Sequence, residues 1–132
     1  MGRGRAAPLV LTVLLAIAGV DCGDDGGLPF KQDEADSVLS YLLVDYSIGG
    51  DSLAKGPKLW FQVANAGSQP HELEVLDDQG ARVGGIPSFD AGVPKRLALE
   101  LEPGTYTLQC TLKNKDGKVH RDLGMITKLV VK

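Results

Sequence analysis

The chain has 132 residues, 43% of them hydrophobic and 23% charged, with a net charge of -3. That length bounds it at one domain with a modest core, and the balance excludes a disordered or fibrous chain. The slight acidic excess leaves no electrostatic footprint for nucleic acid, and two cysteines are too few for a disulfide framework.

In chain order, Arg3 and Arg5 come first, followed by an apolar stretch from Leu9 to Val20 and the small residues Ala16 and Ala18. A positive start, an apolar run too short to span a bilayer and a small-residue cleavage region make residues 1–21 a predicted signal peptide. The mature protein is therefore expected outside the cytoplasm, in the periplasm or at the cell surface. Cys22, followed by a Gly- and Asp-rich run, resembles the start of a bacterial lipoprotein, although Asp21 stands where a lipobox wants a small neutral residue. Lipidation of Cys22 and a spare cysteine on a secreted protein both remain open readings. A lipid there is the only membrane contact expected. Residues 22–36 read as a flexible tether, leaving residues 37–132 as the folded domain.

From residue 38 onward the pattern is that of an all-β protein. Apolar or β-branched runs fall at 38–48, 58–64, 72–77, 94–101, 105–113 and 118–131. Turn formers separate them, among them Gly49-Gly50-Asp51, Asp77-Asp78-Gln79-Gly80, Pro87, Pro103-Gly104 and Asn114-Lys115-Asp116-Gly117. Leu59, Phe61 and Val63 share one strand face. So do Leu97, Leu99 and Leu101, and so do Tyr106, Leu108, Cys110 and Leu112. Alternation of this kind is what half-buried strands require. In the first run, Val38, Leu42 and Val44 fit a strand as well as a helical turn. Seven to eight strands at this spacing predict a Greek-key β-sandwich.

Four residues carry chemistry together: His71, Cys110, His120 and Met125. A soft thiolate, two imidazoles and a weak thioether form the donor set of an electron-transfer copper site. Taken singly, each has a structural explanation, such as a small thiol in the core or a methionine filling space. A disulfide between Cys22 and Cys110 is the competing account of the two cysteines.

Three segments resemble the cupredoxin superfamily, and in particular its bacterial cupredoxin-like copper-binding proteins. Phe61 to Leu76, containing Asn65, Pro70 and His71, is similar to the segment that supplies the first histidine. Pro103-Gly104-Thr105-Tyr106 through Cys110 resembles the strand that delivers the cysteine. His120 through Gly124-Met125 is similar to the closing segment. The resemblance implies one mononuclear type 1 copper site, with His71, Cys110 and His120 as equatorial ligands and Met125 as axial ligand. It also gives Asn65 and Pro70 a part in orienting the first histidine, whereas Glu72 reads as a rim charge. The departure lies in the nine residues between Cys110 and His120, longer than the ligand loop of most single-domain cupredoxins.

That insertion reads as a hairpin. Asn114 at the first position and Gly117 at the fourth suit a type I turn closed by a left-handed glycine. Pairing would then run Asn114 with Lys118, Leu112 with His120, Thr111 with Arg121 and Cys110 with Asp122, leaving Cys110 and His120 on one face. A two-residue Asp116-Gly117 loop would put them on opposite faces. Lys113, Lys115, Lys118 and Arg121 gather at this hairpin, either as a rim that steers an acidic partner or as a solvated tip.

No nucleophile elbow, P-loop or dinucleotide fingerprint is present, so the chain is not expected to be an enzyme. The expected function is single-electron transfer by an exported monomer with a redox partner protein. A periplasmic copper carrier or store, and a cupredoxin-like module without a functional copper site, are the alternatives.

Overall fold

The structure, a computed structural model, describes residues 27–132. The predicted signal peptide over 1–21 and Cys22 lie outside the described residues.

Among the described residues nine strands form two sheets: β1 (Ser37–Val44), β2 (Ser47–Gly50), β3 (Leu53–Ala54), β4 (Lys58–Asn65), β5 (His71–Leu76), β6 (Arg82–Phe89), β7 (Lys95–Glu100), β8 (Gly104–Gln109) and β9 (Ile126–Val131). The first sheet has the order β2-β1-β4-β7 and the second β3-β9-β8-β5-β6. The β1–β4 and β3–β9 pairs are parallel and the others antiparallel. This is the expected sandwich, with one more strand than expected because β3 is only two residues long.

The core fills the space between the sheets. Leu39, Tyr41 and Leu43 of β1 and Leu59, Phe61 and Val63 of β4 face Leu73 and Val75 of β5, Leu108 of β8 and Leu129 of β9. The register dictates which residues point inward. Leu39 pairs with Phe61 and Tyr41 with Val63, and paired residues share a face. The Tyr41 and Phe61 rings stack with centroids 5.9 Å apart. This corrects the parity expected for the first run: Val38 and Leu42 are 43% and 48% exposed, on the outer face. That run also breaks after Val44, where Asp45 and Tyr46 turn the chain into β2.

β6 runs through Pro87, read from the sequence as a turn former, and contains Gly84 and Gly85. It lies at the edge of its sheet, where proline is tolerated because one row of backbone groups needs no partner. Gly84 earns its place by proximity: a Cβ there would lie 2.5 Å from Leu99 Cδ2 on β7, in the other sheet.

Within the segment expected to be a tether, described residues pack onto the domain. Phe30 is buried with Trp60 and Ala98 on the outer face of the β4–β7 pair, and Leu28 and Ala35 pack against them. The turn Gln32–Glu34 is braced by the Lys31 N–H donating to Glu34 Oε1 at 2.7 Å. Asp36 Oδ2 then accepts from the Lys58 N–H at 2.9 Å. The folded unit therefore begins before residue 37.

Candidate metal centre

Two of the three strongest candidate ligands sit where a strand begins or has just ended, and the third in a turn that leads into a strand. His71 opens β5, Cys110 follows the last residue of β8, and His120 starts the 3-10 turn His120–Leu123 that leads into β9. β5, β8 and β9, which these positions begin, follow or lead into, all belong to the five-stranded sheet.

Asn65 sets the approach to His71. It is 5% exposed, and its Nδ2 donates to the carbonyls of Gln69 and Phe89 at 3.0 and 2.8 Å. Its Oδ1 accepts from the Gly67 N–H at 2.8 Å. One buried amide thus ties two backbone groups of this loop to the end of β6. Pro70 is exposed.

The hairpin between Cys110 and His120 takes the bulged form at its tip. The Asn114 N–H donates to the Lys118 carbonyl and the Gly117 N–H to the Asn114 carbonyl, both at 2.9 Å. Gly117 has φ +81, the left-handed conformation that favours glycine. Asn114 Oδ1 also accepts from the N–H groups of Asp116 and Lys118. Lys113 bridges Val119, and the His120 N–H donates to the Leu112 carbonyl at 2.8 Å.

Beyond that point the expected register gives way. Thr111 does not pair with Arg121, nor Cys110 with Asp122, because the chain winds into the 3-10 turn at His120. The Cys110 N–H bonds instead to the Met125 carbonyl at 3.1 Å, and the Met125 N–H to the His120 carbonyl at 3.1 Å. Gly124, with φ +125, ends the turn against the Tyr46 carbonyl, which would lie 2.8 Å from a Cβ.

The side chains converge. His120 Nδ1 lies 3.5 Å from Cys110 Sγ and 3.2 Å from His71 Nδ1. The three donor atoms all fall within 4.8 Å of one another, the only such group of His, Cys, Asp or Glu among the described residues. Nitrogen and sulfur donors bound at ordinary metal distances with near-tetrahedral angles stand about 3.3 Å (N to N) and about 3.5 Å (N to S) apart. The observed spacings therefore suit one shared ion. His71, Cys110 and His120 are 0%, 0% and 1% exposed, and Met125 is 0% exposed.

The electrostatics are those of a sealed site. Burial pushes the Cys110 thiol up, opposed by the Glu72 backbone N–H, which points at Sγ from 3.4 Å. Burial, followed by the neighbouring His71, lowers His120, favouring the neutral imidazole that a metal needs. His120 Nε2 is buried with no hydrogen-bond partner. Cys110 is a free thiol.

Three neighbours were not legible as part of the site. Asp45 Oδ1 lies 2.7 Å from His71 Nε2. Ser68 binds the same carboxylate through its hydroxyl and its backbone N–H, and these bonds, with the hydroxyl's the largest influence, hold Asp45 down at about 2. Glu72, expected as a rim charge, is half-buried, and its Oε2 accepts from the Thr111 N–H at 2.9 Å and from the Thr111 hydroxyl. Tyr46 packs its ring 5.1 Å from that of His120, and its hydroxyl accepts from Gln69 Nε2 at 2.9 Å. The basic residues of the hairpin lie around the tip, with Lys113, Lys115 and Lys118 exposed.

No family model matches the chain, and no curated protein matches it. Solved structures do. Reduced auracyanin from Roseiflexus castenholzii is similar over 74% of this chain and 98% of its own, with TM-score 0.58 and 13% identity. Rusticyanin from Thiobacillus ferrooxidans is similar over 74% of this chain and 78% of its own, with TM-score 0.56 and 14% identity. A multicopper oxidase is similar over 83% of this chain but 47% of its own, with TM-score 0.56 and 19% identity. At such identities the likeness establishes the fold.

Proposed function

We propose that this chain, which has the cupredoxin fold, holds one copper ion between His71, Cys110 and His120, with Met125 as a weak axial donor, and transfers single electrons outside the cytoplasm. The observation that carries the reading is the convergence of two imidazole nitrogens and one thiol sulfur, all buried, at spacings that suit a shared ion. When bound, copper would supply a one-electron couple between its two oxidation states.

The chain's own residues supply the rest. Cys110 gives a thiolate once its proton leaves, and the Glu72 N–H stabilises the sulfur's charge. His71 and His120 present Nδ1 atoms that already face each other. Burial of all four donor-bearing residues restricts access of water and substrate to the site, which favours electron transfer over catalysis. The hydrogen bonds linking Cys110, Met125 and His120 fix the donor-bearing backbone in advance, so little needs to move when the charge changes. Export rests on the sequence of residues 1–21. The partner is a redox protein approached by a monomer.

Adding copper(II) to the purified mature protein tests this reading. An intense visible thiolate-to-copper band that bleaches and returns on reduction and reoxidation is expected, and Cys110→Ser should abolish it. Tight copper(I) binding without the band would favour a carrier. No binding at all would leave a module without a metal.

A further inference from the structure

The three donors hang from one sheet, yet one of them is held by a side chain from the other. We infer that Asp45, in the turn between β1 and β2, is a positioning residue that fixes His71 with Nδ1 toward the other donors and biases bound copper toward its oxidised state. This inference rests on the copper reading above and deepens it.

The geometry argues for the first half. Asp45 Oδ1 lies 2.7 Å from His71 Nε2, and an ionised carboxylate can only accept. The proton of a neutral His71 must therefore sit on Nε2, which leaves Nδ1 an acceptor that faces the other donors. That atom is the one 3.2 Å from His120 Nδ1. The choice of tautomer and the ring's rotation are set by one contact.

The carboxylate is itself immobilised. The Ser68 N–H donates to Oδ2 at 3.0 Å, and the Ser68 hydroxyl binds the same oxygen. Gly67 leaves the room that this needs, since a Cβ there would stand 2.3 Å from Asp45 Oδ1 and 2.7 Å from His71 Nε2. The β1–β2 turn, Asp45, Ser68 and His71 thus form one continuous hydrogen-bonded brace.

Charge argues for the second half. A fixed negative group one hydrogen bond from a ligand nitrogen strengthens that ligand as a donor and attracts a dication more than a monocation. The Asp45 side chain is 24% exposed and His71 is 0% exposed, so solvent screens the interaction only in part. A backbone carbonyl in the same place would orient the ring without the charge. The two contributions can therefore be separated by substitution.

The experiment compares wild type, Asp45→Asn and Asp45→Ala in two readouts. In the copper-free protein, long-range proton–nitrogen spectra should show a single His71 tautomer with the proton on Nε2, mixed or reversed in Asp45→Ala. In the copper-loaded protein, both variants should show a midpoint potential above wild type with the visible band retained. Asp45→Ala should also lose copper to a chelator faster, by about 10-fold or more. A structural role alone would lower thermal stability and leave the potential of Asp45→Asn unmoved. That result, or a His71 tautomer indifferent to Asp45→Ala, would overturn the inference. If wild type takes up no copper, the proposed function fails and the charge effect with it, while the tautomer spectra still decide whether Asp45 positions His71.

Discussion

The backbone N–H of Cys110 donates to the carbonyl of Met125 at 3.1 Å. The residue offering a thiol and the residue offering a thioether are thus tied main chain to main chain, outside the regular ladder of β8 and β9. Because Met125 in turn donates to His120, this chain segment is fixed by bonds that owe nothing to the side chains.

Met125→Leu should therefore leave the fold and the visible band in place. The volume is nearly conserved, so the stability cost should stay below about 1.5 kcal/mol. The midpoint potential should rise, because loss of a donor pair disfavours copper(II) more than copper(I). Voltammetry of the loaded variant checks it, and an unchanged potential would remove Met125 from the ligand set.

Gly67→Ala replaces no proposed ligand. Its methyl would nevertheless intrude between Asp45 and His71, and neither neighbour can yield without breaking their hydrogen bond. Copper affinity should fall by about 10–100-fold, the range seen when the hydrogen-bond partner of a metal-bound histidine is lost. Competition with a copper chelator of known strength measures it.

Gly117→Ala separates strain from crowding. Nothing lies near a Cβ at that position, but φ is +81. The left-handed conformation should cost about 1–2 kcal/mol, read as a lowered denaturant midpoint with an unchanged slope. Copper binding should persist, since His120 is also held by Leu112 and Met125.

Alkaline pH should destabilise the protein through Tyr41. Burial, and then the Asp51 carboxylate, raise its phenol above the ordinary value of 10. Below about pH 10 both the folded and the unfolded states keep the proton, so this group adds no slope. Above it the unfolded chain ionises first, and stability falls as pH rises. Tyr41→Phe should flatten that decline in denaturation series between pH 9 and about pH 11. It should also cost about 1 kcal/mol at neutral pH through loss of the hydrogen bond to the Asp51 carbonyl.

The sandwich was legible because strand alternation is local, as Leu59, Phe61 and Val63 illustrate. The hairpin tip was legible for the same reason, since Asn114 and Gly117 carry its geometry within four residues. What happens after His120 was not: the 3-10 turn ends where Gly124 meets the Tyr46 carbonyl, a neighbour far away in sequence. β6 was hidden by Gly84, Gly85 and Pro87, whose turn preference yields to an edge position and to the close approach of Leu99. The parity of β1 depended on its parallel pairing with β4, which no local pattern specifies. Asp45 gave no signal at all, because its partner His71 lies 26 positions away across the two sheets.

The docking of Phe30 over Trp60 has an optical consequence. Trp60 is the sole tryptophan, fully enclosed, and its indole nitrogen has no hydrogen-bond partner. Its emission should be blue-shifted while the N-terminal segment stays seated and move to the red when that segment peels away. The protein thus carries its own fluorophore for one event, the detachment of its leading edge, on the outside of a sheet whose inner side faces the core.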